Sequence, residues 1–173
     1  MPNMIITAGK FKGRNIKAPD ENITRPTLSK VRMSVFNTLQ AMTDFSGKSF
    51  LDMYAGSGIM GLEALSRGFE KAVAIEKNIK VANVIQSNFK NFEVSPQLII
   101  SDSLKAAQKF SEKFDVIYID PPYFSGIYET SLEIAKGICQ GIIILEHVTD
   151  VNFNDFEIIK QKKYGDKFIT FCQ

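Results

Sequence analysis

The sequence predicts an α/β fold in which helices cover both faces of a doubly wound, mostly parallel sheet. Three observations lead to this prediction: short apolar runs alternate with amphipathic stretches, the run 114–119 is apolar almost throughout, and two β-like runs flank Gly165-Asp166 in the tail. Alternating strands and helices form parallel sheets, and a strand that is buried on both faces has no polar side. The tail adds a C-terminal antiparallel hairpin.

The predicted elements succeed one another along the chain, beginning with a small hairpin that pairs 4–8 with 15–18. A helix follows, because apolar residues recur at helical spacing from Leu28 to Met42. Five strands come next, at residues 48–53, 71–75, 98–100, 114–119 and 142–145. The helices between them are predicted near residues 62–67, 81–92, 104–110 and 128–139. We therefore divide the chain into an N-terminal extension, 1–42, and a main domain, 43–173.

The net charge of +2 conceals an uneven distribution of charged side chains. Residues 1–40 contain seven basic and two acidic side chains, whereas the rest of the chain contains 14 basic and 17 acidic ones. A basic segment on a mildly acidic body favours contact with a polyanion. The side chains that we predict to bind the phosphates of such a partner are Lys10, Lys12, Arg14, Lys17, Arg25, Lys30 and Arg32.

The composition excludes several classes of site. Two cysteines and one histidine among 173 residues supply neither a disulfide framework nor a cluster of Cys and His ligands, so we expect no metal. No apolar run approaches the ~20 residues that span a bilayer, so we expect no contact with a membrane. The low cysteine content also fits a reducing compartment, and we expect a cytoplasmic protein.

A glycine loop follows the first strand of the main domain and opens a helix. Gly56, Gly58 and Gly61 match the G-x-G-x-x-G pattern of Rossmann-like folds in the required strand–loop–helix context. Glycines at these positions allow a tight turn and the close approach of a ligand to the backbone. Glu76 ends the next strand, where a carboxylate binds ribose hydroxyls. These features suit either a nicotinamide dinucleotide or S-adenosyl-L-methionine.

Carboxylates are predicted at the ends of four strands: Asp52, Glu76, Asp102 and Asp120. The carboxyl ends of parallel strands meet at one edge of the sheet, so these acids converge on one rim. Such a rim repels a pyrophosphate and attracts the sulfonium and ammonium groups of S-adenosyl-L-methionine, which is therefore the favoured cofactor. Asp102, which stands between two serines, also fits a helix N-cap, and capping is compatible with contact to the adenine.

The segment Asp120-Pro121-Pro122-Tyr123 follows the most apolar strand. Two consecutive prolines end a central strand and each removes a backbone donor, which leaves a rigid loop of carbonyl oxygens beside the Asp120 carboxylate. These acceptors suit the two hydrogens of an exocyclic amine, and the Tyr123 ring suits stacking on the base that carries it. We therefore predict that Asp120, Pro121, Pro122 and Tyr123 form the catalytic segment.

Together these motifs resemble the Rossmann-type, S-adenosylmethionine-dependent methyltransferases that modify amino groups. More narrowly, the N-terminal motifs are similar to those of the bacterial 16S ribosomal RNA guanine-N2 methyltransferases. The motifs that carry this narrower resemblance are Ala8-Gly9-Lys10-Phe11-Lys12-Gly13-Arg14, Arg25-Pro26-Thr27, Val31-Arg32 and Phe36-Asn37. The chain departs from the family pattern at Leu28-Ser29-Lys30, where an acidic–basic pair is common.

The resemblance implies methyl transfer to the N2 amine of a guanine in 16S ribosomal RNA, within the small subunit or its assembly intermediate. Separately, we expect the protein to be a monomer. Asp120, helped by the Pro121 carbonyl, would accept from the amine, and Tyr123 would stack on the base. We expect His147, at the end of the fifth strand, to be structural rather than a catalytic base. The implied cofactor-binding residues are Asp52, Tyr54, Ala55, Gly56, Gly58, Glu76, Lys77, Asp102, Ser103 and Asp120.

Other functions share parts of this pattern. The Asp-Pro-Pro-Tyr motif also occurs in N6-adenine DNA methyltransferases, which use a large target-recognition domain, and in protein-glutamine methyltransferases, for which a basic extension has no obvious purpose. A non-catalytic RNA-binding assembly factor would not need the intact catalytic segment and glycine loop. A nicotinamide oxidoreductase is disfavoured by the acidic rim.

Overall fold

A computed structural model describes residues 4–19, 28–92, 94, 96–124 and 126–173. The strands are β1 Met4–Ile5, β2 Asn15–Ile16, β3 Ser49–Asp52, β4 Lys71–Glu76, β5 Gln97–Ile100, β6 Phe114–Ile119, β7 Cys139–His147, β8 Ile158–Tyr164 and β9 Lys167–Cys172. The helices are α1 Ser29–Met42, α2 Ile59–Ser66, α3 Ile79–Asn91, α4 Ser103–Ala107 and α5 Tyr128–Ile138. Each predicted strand and helix is present.

Seven strands form one sheet in the order β5-β4-β3-β6-β7-β9-β8. The strands from β5 to β7 are parallel to their neighbours, while β9 is antiparallel to β7 and β8 is antiparallel to β9. The predicted fold class, with its C-terminal antiparallel hairpin, is confirmed. The chain builds outward from β3 to β5 and then returns to the other side of β3 as β6. This reversal opens a crevice at the carboxyl ends of β3 and β6, where doubly wound sheets bind ligands.

Both faces of the central strands are buried, which explains their continuous apolar sequences. Phe50 of β3 and Val116 of β6 belong to the apolar cluster on one face. Their neighbours Leu51 and Ile117 belong to the cluster on the other face. Burying each such side chain contributes about 1.5–3 kcal/mol, so the sheet gives rigid support to the loops at its edge.

The N-terminal extension packs directly on the main domain. Apolar side chains of β1, β2 and α1 lie in the same cluster as those of β3 and α2. Glu63 on α2 accepts a hydrogen bond from the Thr7 amide at 2.7 Å. The same buried carboxylate lies 3.6 Å from Nε of Arg32 and 3.2 Å from Nε of Arg67. The division of the chain at residue 42 stays a prediction, since the extension and the sheet share one apolar cluster.

Arg32, one of the predicted phosphate-binding residues, is buried in the contact between the N-terminal extension and the main domain. Arg32 is 1% exposed, and its guanidinium donates to the Ile5 carbonyl at 2.8 Å and to Ser29 Oγ at 3.2 Å. The prediction that Arg32 binds RNA is therefore wrong, because its charge is used inside the protein to join α1 and β1 to Glu63 of α2. Arg25, another predicted phosphate-binding residue, lies outside the described residues.

The tip of the N-terminal hairpin docks at the end of α2 that is remote from the glycine loop. The Lys10 amide donates to the Ser66 carbonyl at 2.8 Å, and the Phe11 amide donates to Ser66 Oγ at 2.9 Å. At Gly9 the backbone passes so close that a Cβ would lie 1.9 Å from the Ser66 carbonyl oxygen. Since a helix rises 1.5 Å per residue, the tip lies about 10 Å along α2 from the end at Ile59.

Several elements differ in length from their predictions. The strands of the N-terminal hairpin, β1 and β2, have two residues each instead of the predicted 4–8 and 15–18. β7 runs to His147 because Glu146 and His147 pair with Ile169 and Phe168 of β9, and the local pattern cannot show this pairing. α4 is a short helix that ends at Ala107. Across the described ranges, no helix is both long and apolar enough to cross a membrane. The same ranges contain no cluster of acidic, Cys or His side chains able to hold a metal ion.

Candidate active site

A cavity of about 640 Å³ occupies the crevice at the carboxyl ends of β3 and β6. The four predicted carboxylates all line it, as do all four residues of the Asp120-Pro121-Pro122-Tyr123 segment. Of the residues predicted to bind the cofactor, every one except Gly58 lines the cavity. The structure thus brings the predicted site together in one place, while the role of each residue stays a prediction.

Asp52 ends β3 and is 1% exposed. Its carboxylate accepts a hydrogen bond from the Tyr54 amide at 3.3 Å. Burial raises the pKa of Asp52 to about 7; the Tyr54 hydrogen bond opposes this rise, and the carboxylates of Glu76 and Glu146 add to it. Within the part of the chain that the structure describes, Asp52 forms no ion pair. A cation brought by a ligand would therefore stabilise its ionised form.

The glycine loop is held in place by Glu76. One oxygen of this carboxylate accepts from the Gly56 amide at 3.0 Å, and the other accepts from the Asn78 amide at 2.8 Å. A Cβ at Gly56 would meet nothing within 4 Å, so the backbone there is open to a ligand. At Gly58, where φ is +76°, a Cβ would lie 2.9 Å from the Ile85 side chain. Gly56 thus leaves room for a ligand, whereas Gly58 permits the loop to pack on α3.

Hydrogen bonds fix the side chains beside these acids. The Tyr54 hydroxyl bonds Ser131 Oγ of α5 at 2.7 Å, and the Ser103 hydroxyl donates to a backbone carbonyl just after β3. Asp102 caps α4 by accepting from the Lys105 amide at 3.1 Å. The predicted N-cap is confirmed, and Asp102 also lines the cavity.

The loop after β6 forms another part of the cavity wall. Asp120 and Tyr123 are partly buried, and Pro121 is buried between them. Phe124 follows with 80% of its surface exposed and with φ at +58°, a left-handed conformation that is rare for a residue with a Cβ. Such strain is concentrated at functional loops. Two aromatic rings therefore follow Asp120, one lining the cavity and one facing solvent.

Three further groups, which the sequence pattern does not single out, meet on this side of the cavity. Lys167, the first residue of β9, lines the cavity and pairs with the buried Glu146 of β7. The Tyr118 hydroxyl of β6 donates to the same carboxylate. Lys167 Nζ also lies 5.5 Å from the centre of the Tyr123 ring. The sequence signal for this cluster is an acid near the end of an apolar strand, because a buried acid needs partners.

Most of the predicted phosphate-binding side chains are exposed, and none of those that the structure describes lines the cavity. The exposed ones are Lys10, Lys12, Arg14, Lys17 and Lys30. Phe92 directly follows the end of α3. Arg14 covers its ring, and the guanidinium carbon lies 4.1 Å from the ring centre. The basic hairpin thus lies at the ends of α2 and α3 that point away from the glycine loop.

His147 is buried and fully hydrogen-bonded at the end of β7, which fits the expectation of a structural residue. It is 4% exposed, and its ring stacks on Phe168 with centroids 5.4 Å apart. Its Nδ1 hydrogen-bonds the Thr149 carbonyl at 2.8 Å, and its Nε2 hydrogen-bonds Thr170 Oγ1 at 2.9 Å. These contacts hold the end of β7 against β9.

Comparison with known proteins assigns the chain to a family. The family model described as "Conserved hypothetical protein 95" matches residues 4–173. The chain belongs to this family. A Bacillus subtilis relative named "Putative rRNA methyltransferase YlbH" is 34% identical over 175 residues, which cover 94% of each chain. "Ribosomal RNA small subunit methyltransferase D" of Haemophilus influenzae is 33% identical over 135 residues, 75% of this chain and 68% of that protein.

Solved structures share the fold. The Escherichia coli structure "Putative methyltransferase yhhF" has a TM-score of 0.87 at 24% identity, covering 99% of this chain and 98% of its own. The Thermus thermophilus 16S rRNA N2 G1207 methyltransferase, in complex with AdoMet and guanosine, has a TM-score of 0.70 at 17% identity, covering 87% of this chain and 44% of its own. These likenesses confirm the predicted Rossmann-like methyltransferase fold.

Proposed function

We propose that this protein transfers a methyl group from S-adenosyl-L-methionine to the exocyclic N2 amine of a guanine in 16S ribosomal RNA. The proposal is carried by the cavity in which the glycine loop, four carboxylates and the Asp120-Pro121-Pro122-Tyr123 loop meet. The names of the two relatives support ribosomal RNA as the substrate class, and the name of the Haemophilus influenzae relative supports the small subunit. The methyltransferase neighbour that binds AdoMet and guanosine supports the cofactor and the base.

One side of the cavity fits S-adenosyl-L-methionine, which supplies the methyl group from a positively charged sulfonium. Asp52 offers this ligand a buried carboxylate with no cation of its own among the described residues. Each oxygen of Glu76 accepts one backbone amide and retains a lone pair for a ribose hydroxyl. The open backbone at Gly56 allows close approach. A pyrophosphate in the same place would face four acids.

The other side of the cavity fits a guanine. Its N2 amine is a poor nucleophile, because its lone pair is delocalised into the base. Asp120 and the Pro121 carbonyl accept the two amine hydrogens and hold the nitrogen in line with the methyl–sulfur bond. As the methyl group passes from sulfur to nitrogen, S-adenosylhomocysteine would be released and the Asp120 carboxylate would stabilise the positive charge on the nitrogen. The surplus amine proton would then pass to water, which gives neutral N2-methylguanine. Tyr123 stacks on the base and fixes its plane.

The guanine reaches this cavity only from an unpaired or extruded position, because a base inside a helix is inaccessible. The exposed lysines and arginine of the hairpin bind phosphates, which adds affinity and sets the register without reading sequence. Because the hairpin lies at the remote end of α2, it binds RNA some distance from the target nucleotide. The substrate is 16S RNA within the small subunit or an assembly intermediate.

Asp120→Ala tests this proposal. We expect methyl transfer to the 16S rRNA of small subunits isolated from cells that lack the protein to be abolished. The Kd of S-adenosyl-L-methionine should change by less than tenfold, about 1.4 kcal/mol, because other acids hold the cofactor. Mass spectrometry of rRNA fragments detects the product as N2-methylguanine. Asp150→Ala, which removes an exposed acid just after β7, is the control and should keep wild-type activity.

Three results would contradict the proposal. A fully active Asp120→Ala variant would remove Asp120 from the chemistry. Methylation of DNA adenine or of a protein glutamine in place of rRNA would replace the substrate. Calorimetric preference for NAD over both S-adenosylmethionine and S-adenosylhomocysteine would reject the cofactor.

A further inference from the structure

A buried carboxylate beside the cavity has no part in the chemistry proposed above. Glu146 of β7 is 0% exposed. One of its oxygens accepts from the Tyr118 hydroxyl of β6, and the other accepts from the Lys167 ammonium of β9. β6, β7 and β9 are neighbours in the sheet, so this cluster links three strands at the edge that carries the cavity.

Lys167 reaches from this cluster to the loop Asp120-Pro121-Pro122-Tyr123, the catalytic loop of the proposed function. Its side chain is 18% exposed and lines the cavity, and its Nζ lies 5.5 Å from the centre of the Tyr123 ring. Burial by itself lowers the pKa of Lys167, but attraction to Glu146, Asp120 and Tyr123 raises it above the ordinary value. The side chain is therefore a fixed cation between a buried acid and the two loop residues that face the base.

The catalytic loop needs such a support. Pro121 and Pro122 cannot donate backbone hydrogen bonds, and the next residues lead into the strained, exposed Phe124. A cation anchored on the sheet gives the Tyr123 ring and the Asp120 carboxylate a preferred position relative to the cavity. Glu146 and Tyr118 in turn hold the cation, since an anchored ammonium moves less than a solvated one.

We propose that Lys167 is a positioning residue that holds Tyr123 and Asp120 in the geometry required for methyl transfer, with Glu146 and Tyr118 holding Lys167. This inference rests on the proposed transfer to a guanine amine. A displacement of about 1 Å in an active site lowers a rate by about 10²-fold, so loss of Lys167 acts on kcat. Cofactor affinity depends mainly on Asp52, Glu76 and the glycine loop, so it should change much less than kcat.

Two variants separate positioning from stability. Lys167→Met removes the cation but leaves Glu146 charged and buried, which destabilises the fold. The double variant Lys167→Met/Glu146→Gln removes both charges, and the new amide still accepts the Tyr118 hydroxyl. Lys167→Arg keeps the cation and serves as the conservative variant. Thermal unfolding, calorimetry with S-adenosylhomocysteine and methyl transfer to 16S rRNA are measured for each.

We expect the double variant to regain most of the thermal stability that Lys167→Met loses. Its kcat for rRNA methylation at saturating S-adenosylmethionine should nevertheless stay about 10- to 100-fold below that of the wild type. Its Kd for S-adenosylhomocysteine should stay within about threefold of the wild type. Lys167→Arg should retain most of kcat, because it supplies a cation at the same place.

A purely structural ion pair predicts the opposite result, in which the double variant regains kcat together with stability; that outcome overturns the inference. Lys71→Met is the matched control. Lys71 also pairs with a glutamate, Glu112, at 2.6 Å and also lies near an aromatic ring, 5.8 Å from the centre of Phe114. Lys71 is the first residue of β4, so it lies at the amino ends of the parallel strands, whereas the cavity lies at their carboxyl ends. The Lys71→Met variant should therefore keep wild-type kcat.

The same assays distinguish this inference from the proposed function. A wild-type protein that binds S-adenosylhomocysteine but methylates no rRNA contradicts the proposed function and removes the basis of the inference. A wild-type protein that methylates rRNA, with a double variant that does so equally fast, overturns the inference alone.

Discussion

Two buried carboxylates of this protein have opposite surroundings. Glu63 on α2 is 0% exposed, and Asp52 at the end of β3 is 1% exposed. Glu63 pairs with Arg32 and Arg67 and accepts the Thr7 amide. Asp52 accepts a backbone amide and, among the residues that the structure describes, pairs with no cation. The fold neutralises the first acid and, among the described residues, provides no cation for the second.

This difference separates an acid that holds the fold together from an acid for which we propose a role in binding the cofactor. A buried charge costs several kcal/mol unless it is paired. Glu63 offsets that cost by joining the N-terminal extension to α2. At Asp52 the cost of a buried charge appears as a pKa that burial raises to about 7. A cation beside Asp52 would offset this cost. A buried acid without a cation in a cleft is therefore a better indicator of function than a buried ion pair.

Glu63→Gln tests the structural side of this comparison and has the largest expected effect. The change removes the carboxylate that neutralises the buried Arg32, so the free energy of unfolding should fall by about 3–5 kcal/mol. Urea unfolding followed by circular dichroism measures the loss. The exposed Lys71–Glu112 pair supplies the control, since Glu112→Gln should cost less than about 1 kcal/mol. Equal losses in the two variants would contradict the anchoring role of Glu63.

Asp52→Asn tests the binding side. The neutral amide cannot attract a sulfonium or an ammonium, so the Kd of S-adenosyl-L-methionine should rise about 10- to 100-fold, equivalent to about 1.4–2.8 kcal/mol. Calorimetry measures the Kd, and the variant should fold at least as well as the wild type because it buries no charge. Asp150→Asn, at an exposed position, is the control. An unchanged Kd in Asp52→Asn would assign Asp52 to the fold rather than to the cofactor.

The smallest expected effect is a pH dependence that Asp52 alone produces. Its folded-state pKa of about 7 exceeds the 3.8 of an ordinary Asp, so the folded protein holds a proton that the unfolded chain has lost. The proton on Asp52 contributes fully to the free energy of unfolding below about pH 4, and this contribution is lost as the pH rises through 7. Between pH 6 and 8, the unfolding free energy of the wild type relative to Asp52→Asn should fall by about 1 kcal/mol. A constant difference would mean that Asp52 is already paired.

The elements of the sheet could be predicted because each has a local signal. Apolar periodicity marks the helices, and the glycine loop after β3 marks the turn that opens α2. The pairing of β9 with β7 has no local signal, since segments distant in sequence determine its register. For that reason the local sequence pattern does not indicate that Lys167 meets Glu146 beside the Asp120-Pro121-Pro122-Tyr123 segment.

The acids of the cavity could be predicted because strand ends share one edge of a parallel sheet. Arg32 was wrongly predicted, because a basic residue on an amphipathic helix has the same local pattern whether it faces solvent or a buried acid such as Glu63. Gly58 fits the fingerprint but permits packing against Ile85, because a loop glycine serves either a ligand or a neighbouring helix. The roles of the cavity residues in binding and catalysis stay predictions until the variants are measured.

The hairpin docks at the remote end of α2, so the proposed function implies a minimum length for an RNA that contacts both the cavity and the hairpin. If RNA binds as proposed, a single guanosine or a very short oligonucleotide would enter the cavity without touching Lys10 or Lys12, whereas a longer strand would contact both regions at once. Added salt therefore weakens the binding of long RNA much more than that of short RNA. The oligonucleotide length at which this sensitivity first appears gives the footprint of the protein in nucleotides.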